Sequence, residues 1–407
     1  MDKKLIYKGL MILVIVISIH LLTLFFYKKE EVKIVRQTAL VQLEPSGYPL
    51  FKDHLSFDGL SDSLEQSLKY YRRLPKSRTF NFGKAVYTVD HLIESLENFS
   101  AFIKNSPSDT ELGAYITQNY LVYKTAGNSG EQVLFTGYYE PTYKGSLKKT
   151  KEFSIPLYTI PDDLLKIDLS LFSDKYEGTP KLSARVNKQN KVVPYYDRKE
   201  INSIGDFDKR AVPLLWLEDR VDRFFLEIQG SGRIILQDNS VMRVHYASKN
   251  GRAYKSVGRY LISRDEIAKE NMSMQAIKKW LKANPDKLDN VLNYNTSFVF
   301  FKKEMDGPFG CLSVKVSPMR SIATDTALFP KGVLCFINTK APSQENIQFP
   351  QGWEDYSGFV FNQDTGGAIK GHLRADLFYG NGEFAEQGAG QMNHRGELYF
   401  LVLKEQG

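Results

Sequence analysis

The spacing of apolar and polar positions divides the chain into an apolar start, two helical blocks and two β blocks. From Gly9 to Tyr27 the run "GLMILVIVISIHLLTLFFY" carries no formal charge with His20 neutral, and a helix of ~20 residues is what spans a bilayer core. A helix apolar on every face has little else to pack against at a chain terminus. Lys3, Lys4 and Lys8 precede it, and no small-x-small cleavage site follows before Lys28-Lys29. The pattern therefore predicts an uncleaved signal anchor over residues 1–30, a linker over 31–50 and an exported body.

Three amphipathic helices are predicted next. "SDSLEQSLKYYRRLP" sets Leu64, Leu68 and Tyr71 on one face between a Ser61 cap and a Pro75 stop. "VDHLIESLENFSAFIKN" repeats the scheme with Asp90 as cap, and "DTELGAYITQNYLVYK" opens at Asp109 or Thr110. From Val133 the period falls toward two in "QVLFTGYYEPTY", "FSIPLYTIP", "NKVVPYYD", "RFFLEIQGSGRIILQDNS" and "VMRVHYASKNG". Helical spacing returns in "SMQAIKKWLKANP" and "DKLDNVLNYN". Five strand-like runs then close the chain: "SFVFFK", "CLSVKVSP", "VLCFIN", "GFVFNQD" and "ELYFLVLK". The expected class is mainly β with helices (α+β), and the density of the last runs suggests a small barrel. Helices, β, helices, β in one chain is also the pattern left by a β domain inserted into another domain.

Apolar residues at 42% and charged residues at 25% are ordinary globular usage over 407 residues. A formal charge of +7 suits nucleic acid, anionic lipid or an acidic polymer such as a cell wall. No basic arm and no nucleic-acid motif follows residue 40, which argues against nucleic acid. Neither Cys311 nor Cys335 lies just after the apolar run, so neither can carry a membrane lipid there, and two thiols are favoured over a disulfide. The histidines at 20, 54, 91, 245, 372 and 394 have no paired-ligand spacing, so no metal site is expected. With no P-loop, dinucleotide fingerprint or Gly-x-Ser-x-Gly elbow, no cofactor is expected either.

Carboxylates remain. Asp364 enters the Thr365-Gly366-Gly367 turn and Asp325 precedes the Pro330/Gly332 turn, positions where an aspartate braces backbone N–H groups. Asp376 follows the small Ala375 and precedes Leu377, Phe378 and Tyr379. Such surroundings desolvate a carboxyl, keep it protonated near neutrality and fit it to be a general acid. Aromatic and small polar residues in "FTGYYEP" and "QGSGR" fit sugar faces and hydroxyl edges, although tyrosines on strands also serve as core. Gln229 and Ser231 are candidate substrate contacts on this ground, and Lys370 in the Asp-Gly-rich stretch is a further candidate.

Seven stretches taken together, "FTGYYEP", "IQGSGRI", "YASKNGRAYKSVGRYLI", "SMQAIKKWLKANP", "NTSFVFF", "ATDTALFPKG" and "QDTGGAIKGHLRADLFYG", resemble the membrane-bound lytic murein transglycosylase A family from Phe135 to the C-terminus. The resemblance implies a double-psi β-barrel built from residues 51–140 and 290–407, interrupted by a second β domain at 141–289. A groove between them would take the glycan strand of peptidoglycan. It further implies cleavage of the β-1,4 bond between N-acetylmuramic acid and N-acetylglucosamine without water, leaving a 1,6-anhydro ring. By the same resemblance Asp376 is catalytic, Asp325 and Asp364 support it, and Thr136, Tyr138 and Tyr139 line the groove. Peptidoglycan strands are the implied partner, with room for other cell-wall enzymes. Many members are tethered by an N-terminal lipid; here the apolar helix would replace it, which points to the inner membrane with the body in the periplasm and leaves the outer membrane open. Two other readings stand beside this one. A hydrolase would pair Asp376 with a second carboxylate such as Asp364, and a silent glycan-binding protein would have no need of Asp376.

Overall fold

The computed structural model describes residues 39–125, 131–343 and 352–405. The expected anchor helix lies outside them, and no helix among the described residues is long and apolar enough to cross a membrane.

Strand Asn393–Leu403 organises the larger sheet. It pairs antiparallel with Leu334–Pro342 on one side and with Val133–Glu140 on the other. From Leu334–Pro342 the hydrogen bonds run on through Trp353–Asp364, Ser321–Ala323 and Arg374–Asn381 to Val133–Glu140. That path returns to Asn393–Leu403 and closes a barrel of six strands. Two of its neighbour pairs are parallel: Ser321–Ala323 with Trp353–Asp364, and Arg374–Asn381 with Val133–Glu140. The runs "GFVF" and "LYFLVL" are apolar at almost every position, as strands covered on both faces must be. Side chains inside the barrel cover one face, and helices Leu60–Tyr71 and Val89–Ile103 join the core on the other.

One buried ion pair fastens the segment before these helices to the barrel. Arg320 meets Asp53 through two parallel bonds of 2.7 and 2.9 Å, and two further donors reach the carbonyl oxygens of Phe359 and Asp58. Asp53 in turn accepts from the Phe359 N–H at 3.0 Å. With four of the five guanidinium N–H groups matched, the charges can sit in the interior.

The second sheet holds six strands in the order Val299–Glu304, Val241–Lys249, Ser231–Ile235, Thr142–Ser146, Pro213–Leu217 and Ile155–Tyr158. One face packs Leu215, Leu226, Ile234, Val244 and Phe301 together. A three-stranded sheet, Val192–Pro194, Leu182–Val186 and Leu165–Ile167, forms separately.

Two predicted strands are not strands. "RFFLEIQ" belongs to helix Arg220–Gln229, capped by the Asp219 carboxylate accepting from the Val221 N–H and ended by Gly230 at φ 79°. Its buried Val221, Phe224, Phe225 and Leu226 form a helical stripe that a short aromatic run conceals. "CLSVKVSP" forms only an isolated bridge, Phe309 to Lys315. Its hydrogen-bonding groups are spent elsewhere: the Cys311 N–H goes to the Asp364 side chain, and the Val314 carbonyl accepts from the Gly310 N–H. Other elements were not anticipated, among them the hairpin Thr79–Phe82/Ala85–Thr88, the strands Pro213–Leu217, Ser321–Ala323 and Arg374–Asn381, and the helix Glu383–Gln391; the third predicted helix stops at Asn119, and its tail forms the strand Tyr120–Thr125. Cys311 and Cys335 are both free.

Candidate active site

Strand register brings the carboxylates together. Asp364 pairs with Ala323, Ala323 with Asp376, and Asp376 with Thr136, so the four residues form one row across adjacent strands. Neighbouring strands lie about 4.8 Å apart, which no spacing in the sequence reveals.

Asp376 is partly buried, its side chain 17% exposed. The Thr136 hydroxyl donates to its Oδ1, and the Arg374 Nη2 lies 3.6 Å from that oxygen while donating to Thr136 Oγ1 at 3.0 Å. Burial pushes the Asp376 carboxyl above its ordinary range, while Thr136 and Arg374 pull it down less strongly. Arg374 was missed by sequence reasoning, yet a signal existed: residues i and i+2 of a strand share a face.

Asp364 braces a turn, as expected, and carries charge chemistry as well. Its Oδ1 accepts from the Thr365 N–H at 2.8 Å and the Cys311 N–H at 2.9 Å. Burial raises its carboxyl to about 6 against these bonds, and the neighbouring Asp376 adds to the rise. Tyr138 stands beside both aspartates, where burial and then their charges keep its phenol protonated. Asp325 is a brace in full: Oδ1 accepts from the Ala327 N–H and Oδ2 from the Gly371 N–H at 3.0 Å. It thereby joins the loop after Ser321–Ala323 to the loop leading into the Asp376 strand. Lys370 Nζ stands 3.6 Å from its Oδ1.

The raised Asp364 gives a pH dependence. A carboxyl that binds its proton more tightly in the folded state loses stability as pH rises from the unfolded value, near 4, through the folded value of about 6. Two pKa units correspond to ~3 kcal/mol. The unfolding free energy of the wild type relative to Asp364→Asn should therefore fall across pH 4 to 6 and level off above. A flat difference in denaturant titrations over that range would contradict the burial of Asp364.

A cavity of about 740 Å³ opens between the barrel end and the second sheet, with Tyr138, Asp364 and Lys370 on the barrel side and Gln229, Ser231 and His245 facing them. Thr136, Asp325 and Asp376 are not among its lining residues; Asp376 lies two strands beyond Asp364 in the same row. Tyr139 was expected on the groove, and the structure places it in the core, 2% exposed. Successive residues of a strand face opposite ways, so Tyr138 and Tyr139 cannot both line one wall. Gln229 lines the cavity and also holds the two sheets together, its Oε1 accepting from the Tyr139 N–H at 3.1 Å. Tyr254, likewise on the cavity wall, feels the Asp376 charge; separated from it by a long stretch of chain, it had no local signal.

Comparison with known proteins bears on the family and the fold. Residues 134–302 match the MltA specific insert domain, and residues 320–402 match the 3D domain. A protein of Vibrio cholerae serotype O1 named membrane-bound lytic murein transglycosylase A is 31% identical over 287 residues, 68% of this chain and 67% of its own length. The chain belongs to the membrane-bound lytic murein transglycosylase A family. Membership makes it an enzyme of the lytic transglycosylase class. The fold extends further than the sequence match. A membrane-bound lytic murein transglycosylase from Agrobacterium tumefaciens superposes with a TM-score of 0.72 over 90% of this chain and 98% of that one, at 24% identity. E. coli MltA with bound chitohexaose superposes with a TM-score of 0.65 over 92% and 97%, also at 24% identity.

Proposed function

We propose that this enzyme of the membrane-bound lytic murein transglycosylase A family cleaves the β-1,4 bond between N-acetylmuramic acid and N-acetylglucosamine in peptidoglycan, with Asp376 as the catalytic residue. The observation that carries this assignment is a partly buried carboxyl, held by Thr136 and Arg374, whose proton is bound more tightly than usual. Asp376 donates that proton to the glycosidic oxygen as the bond to the leaving sugar breaks. The resulting carboxylate then takes the proton of the C6 hydroxyl of the same muramyl residue, whose oxygen closes on C1. The product is a 1,6-anhydro ring, water is not consumed, and the carboxyl ends as it began. An intramolecular nucleophile also has a large effective concentration over water. No second carboxylate has to activate water, unlike in a hydrolase. Asp364 and Asp325 hold the strand ends and loops around Asp376, and Tyr138, Gln229, Ser231 and Lys370 face the glycan. The chitohexaose bound by the E. coli relative supports an oligosaccharide in this cavity.

The same reading takes the closed barrel as a double-psi barrel, supported by its two parallel strand pairs. It takes the second sheet as the inserted domain, which moves Val299–Glu304, expected in the barrel part at 290–407, into the insert beyond the expected end at 289. Residues 1–30 would tether the enzyme to the inner membrane with the body in the periplasm, supported by the uncharged run Gly9 to Tyr27.

Mass spectrometry of the muropeptides released from purified peptidoglycan by the full chain tests the reaction. Products one water lighter than the reducing forms, and inert to borohydride, are expected. Reducible products would show hydrolysis instead.

A further inference from the structure

The second sheet presents a polar face of which the proposed reaction uses only Ser231. Ile234 points into the apolar core with Met242, Val244 and Phe301, so Ser231 and Arg233, on alternate positions, point to the opposite face. Register sets Ser231 beside His245 and Arg233 beside Arg243, and continues the two rows to Lys302 and Glu304. Ser231, His245 and Lys302 line the cavity. Arg233 and Arg243 extend the same face two residues, about 7 Å, further along.

Charge on that extension is incompletely matched. Lys302 pairs with Glu304 at 2.8 Å, and nearby Lys315 pairs with Asp306 at 2.6 Å. Arg233 and Arg243, by contrast, both face the Glu140 carboxylate at the end of the Thr136 strand, and only Arg243 also feels Asp306. Arg243 Nε stands 3.5 Å from Glu140 Oε1, and Glu140 is itself 1% exposed. The Nε atoms of both arginines and Nδ1 of His245 are buried without a hydrogen-bond partner. Arg243 nevertheless keeps 31% of its side chain exposed, and a guanidinium group beside a cavity matches a carboxylate, whose two oxygens fit its planar fork.

We propose that Arg233 and Arg243, with His245 and Lys302 at the cavity edge, form a subsite for the carboxylates of the peptide carried by a muramyl residue. The proposal rests on the peptidoglycan reading above and adds a specificity to it: the enzyme distinguishes peptide-bearing strands from bare glycan. The bland competitor is a clamp, in which the two arginines only hold Glu140 and so keep the sheet against the barrel.

Initial rates of the full-length enzyme on soluble glycan strands, with peptides intact and after enzymatic removal of the peptides, separate these. Wild type is expected to prefer the peptide-bearing strands, and Arg233→Gln to lower the ratio of the two kcat/KM values by about tenfold, the usual worth of one charge-assisted bond. The preference should also shrink as salt rises from 50 to 500 mM, since the subsite is partly open to solvent. Equal rates on both substrates in the wild type, or a loss in Arg233→Gln that leaves the ratio unchanged, would overturn the subsite. Should Arg233→Gln fail to fold, Lys302→Gln at the exposed edge carries the same measurement with a smaller change in the same direction. Absence of anhydro products from both substrates would instead overturn the peptidoglycan reading itself.

Discussion

Turnover of peptidoglycan by the Asp376→Asn enzyme is expected to fall by ~10²–10⁴-fold, the usual worth of a positioned general acid–base group. Asparagine keeps the shape and can still accept the Thr136 hydroxyl bond, so the strand row should survive. It has no proton to give to a glycosidic oxygen and no basicity to collect one from the C6 hydroxyl. Because wild-type Asp376 pays for its burial when ionised, the variant should unfold at a temperature equal to or above that of the wild type. Product release measured beside a thermal melt distinguishes the two effects. Retained turnover would remove Asp376 from the mechanism, and lost turnover with a lowered melting midpoint would leave it a structural residue.

The largest stability change is expected at Asp53, far from the chemistry. Asp53→Ala leaves Arg320 charged, fully buried and short of two bonds of 2.7 and 2.9 Å. Breaking such a pair from one side costs ~3–5 kcal/mol, a large part of what holds an ordinary domain together. Arg320 directly precedes Ser321–Ala323, the short strand between Asp364 and Asp376 in the row, so activity should decline with stability. The double change Asp53→Leu with Arg320→Met should recover much of the loss, since an apolar pair of similar volume removes the unpaired charge. Urea titrations of the three proteins decide the matter. An Asp53→Ala protein within 1 kcal/mol of wild type would mean that Arg320 finds water or another acceptor when its partner is gone.

Much of the architecture was legible because it is local. The helices Leu60–Tyr71, Val89–Ile103, Asp109–Asn119 and Met274–Ala283 appear where apolar residues recur at helical spacing. Their starts were harder to place: Thr88 and Ser108 supply caps one or two residues before those expected. A cap is set by one side-chain bond, and several neighbouring residues can make it. Helix Glu383–Gln391 was invisible for a different reason. Gly388 and Gly390 weaken any helical signal, yet a side chain at Gly388 would meet the Tyr379 ring at 2.7 Å, and Gly137 on the facing strand leaves room for Ala389 in the same way. Close packing, rather than propensity, makes that segment a helix.

The sequence by itself singled out Asp376 as a candidate, through the apolar residues around it and the resemblance of its segment to the family, but the groups that face its carboxyl, Thr136 and Arg374, are set by the strand and its pairing. It also determined that Asp364 and Asp325 brace turns, since those bonds are made within a few residues or by adjoining loops. The tertiary structure alone decided that Asp364, Asp376 and Thr136 share one row, that Tyr139 turns away while Tyr138 faces the site, and that Arg233 and Arg243 meet over Glu140. Strand register sets all three, and register depends on how distant segments pair across a closed barrel and a second sheet, which no local spacing encodes.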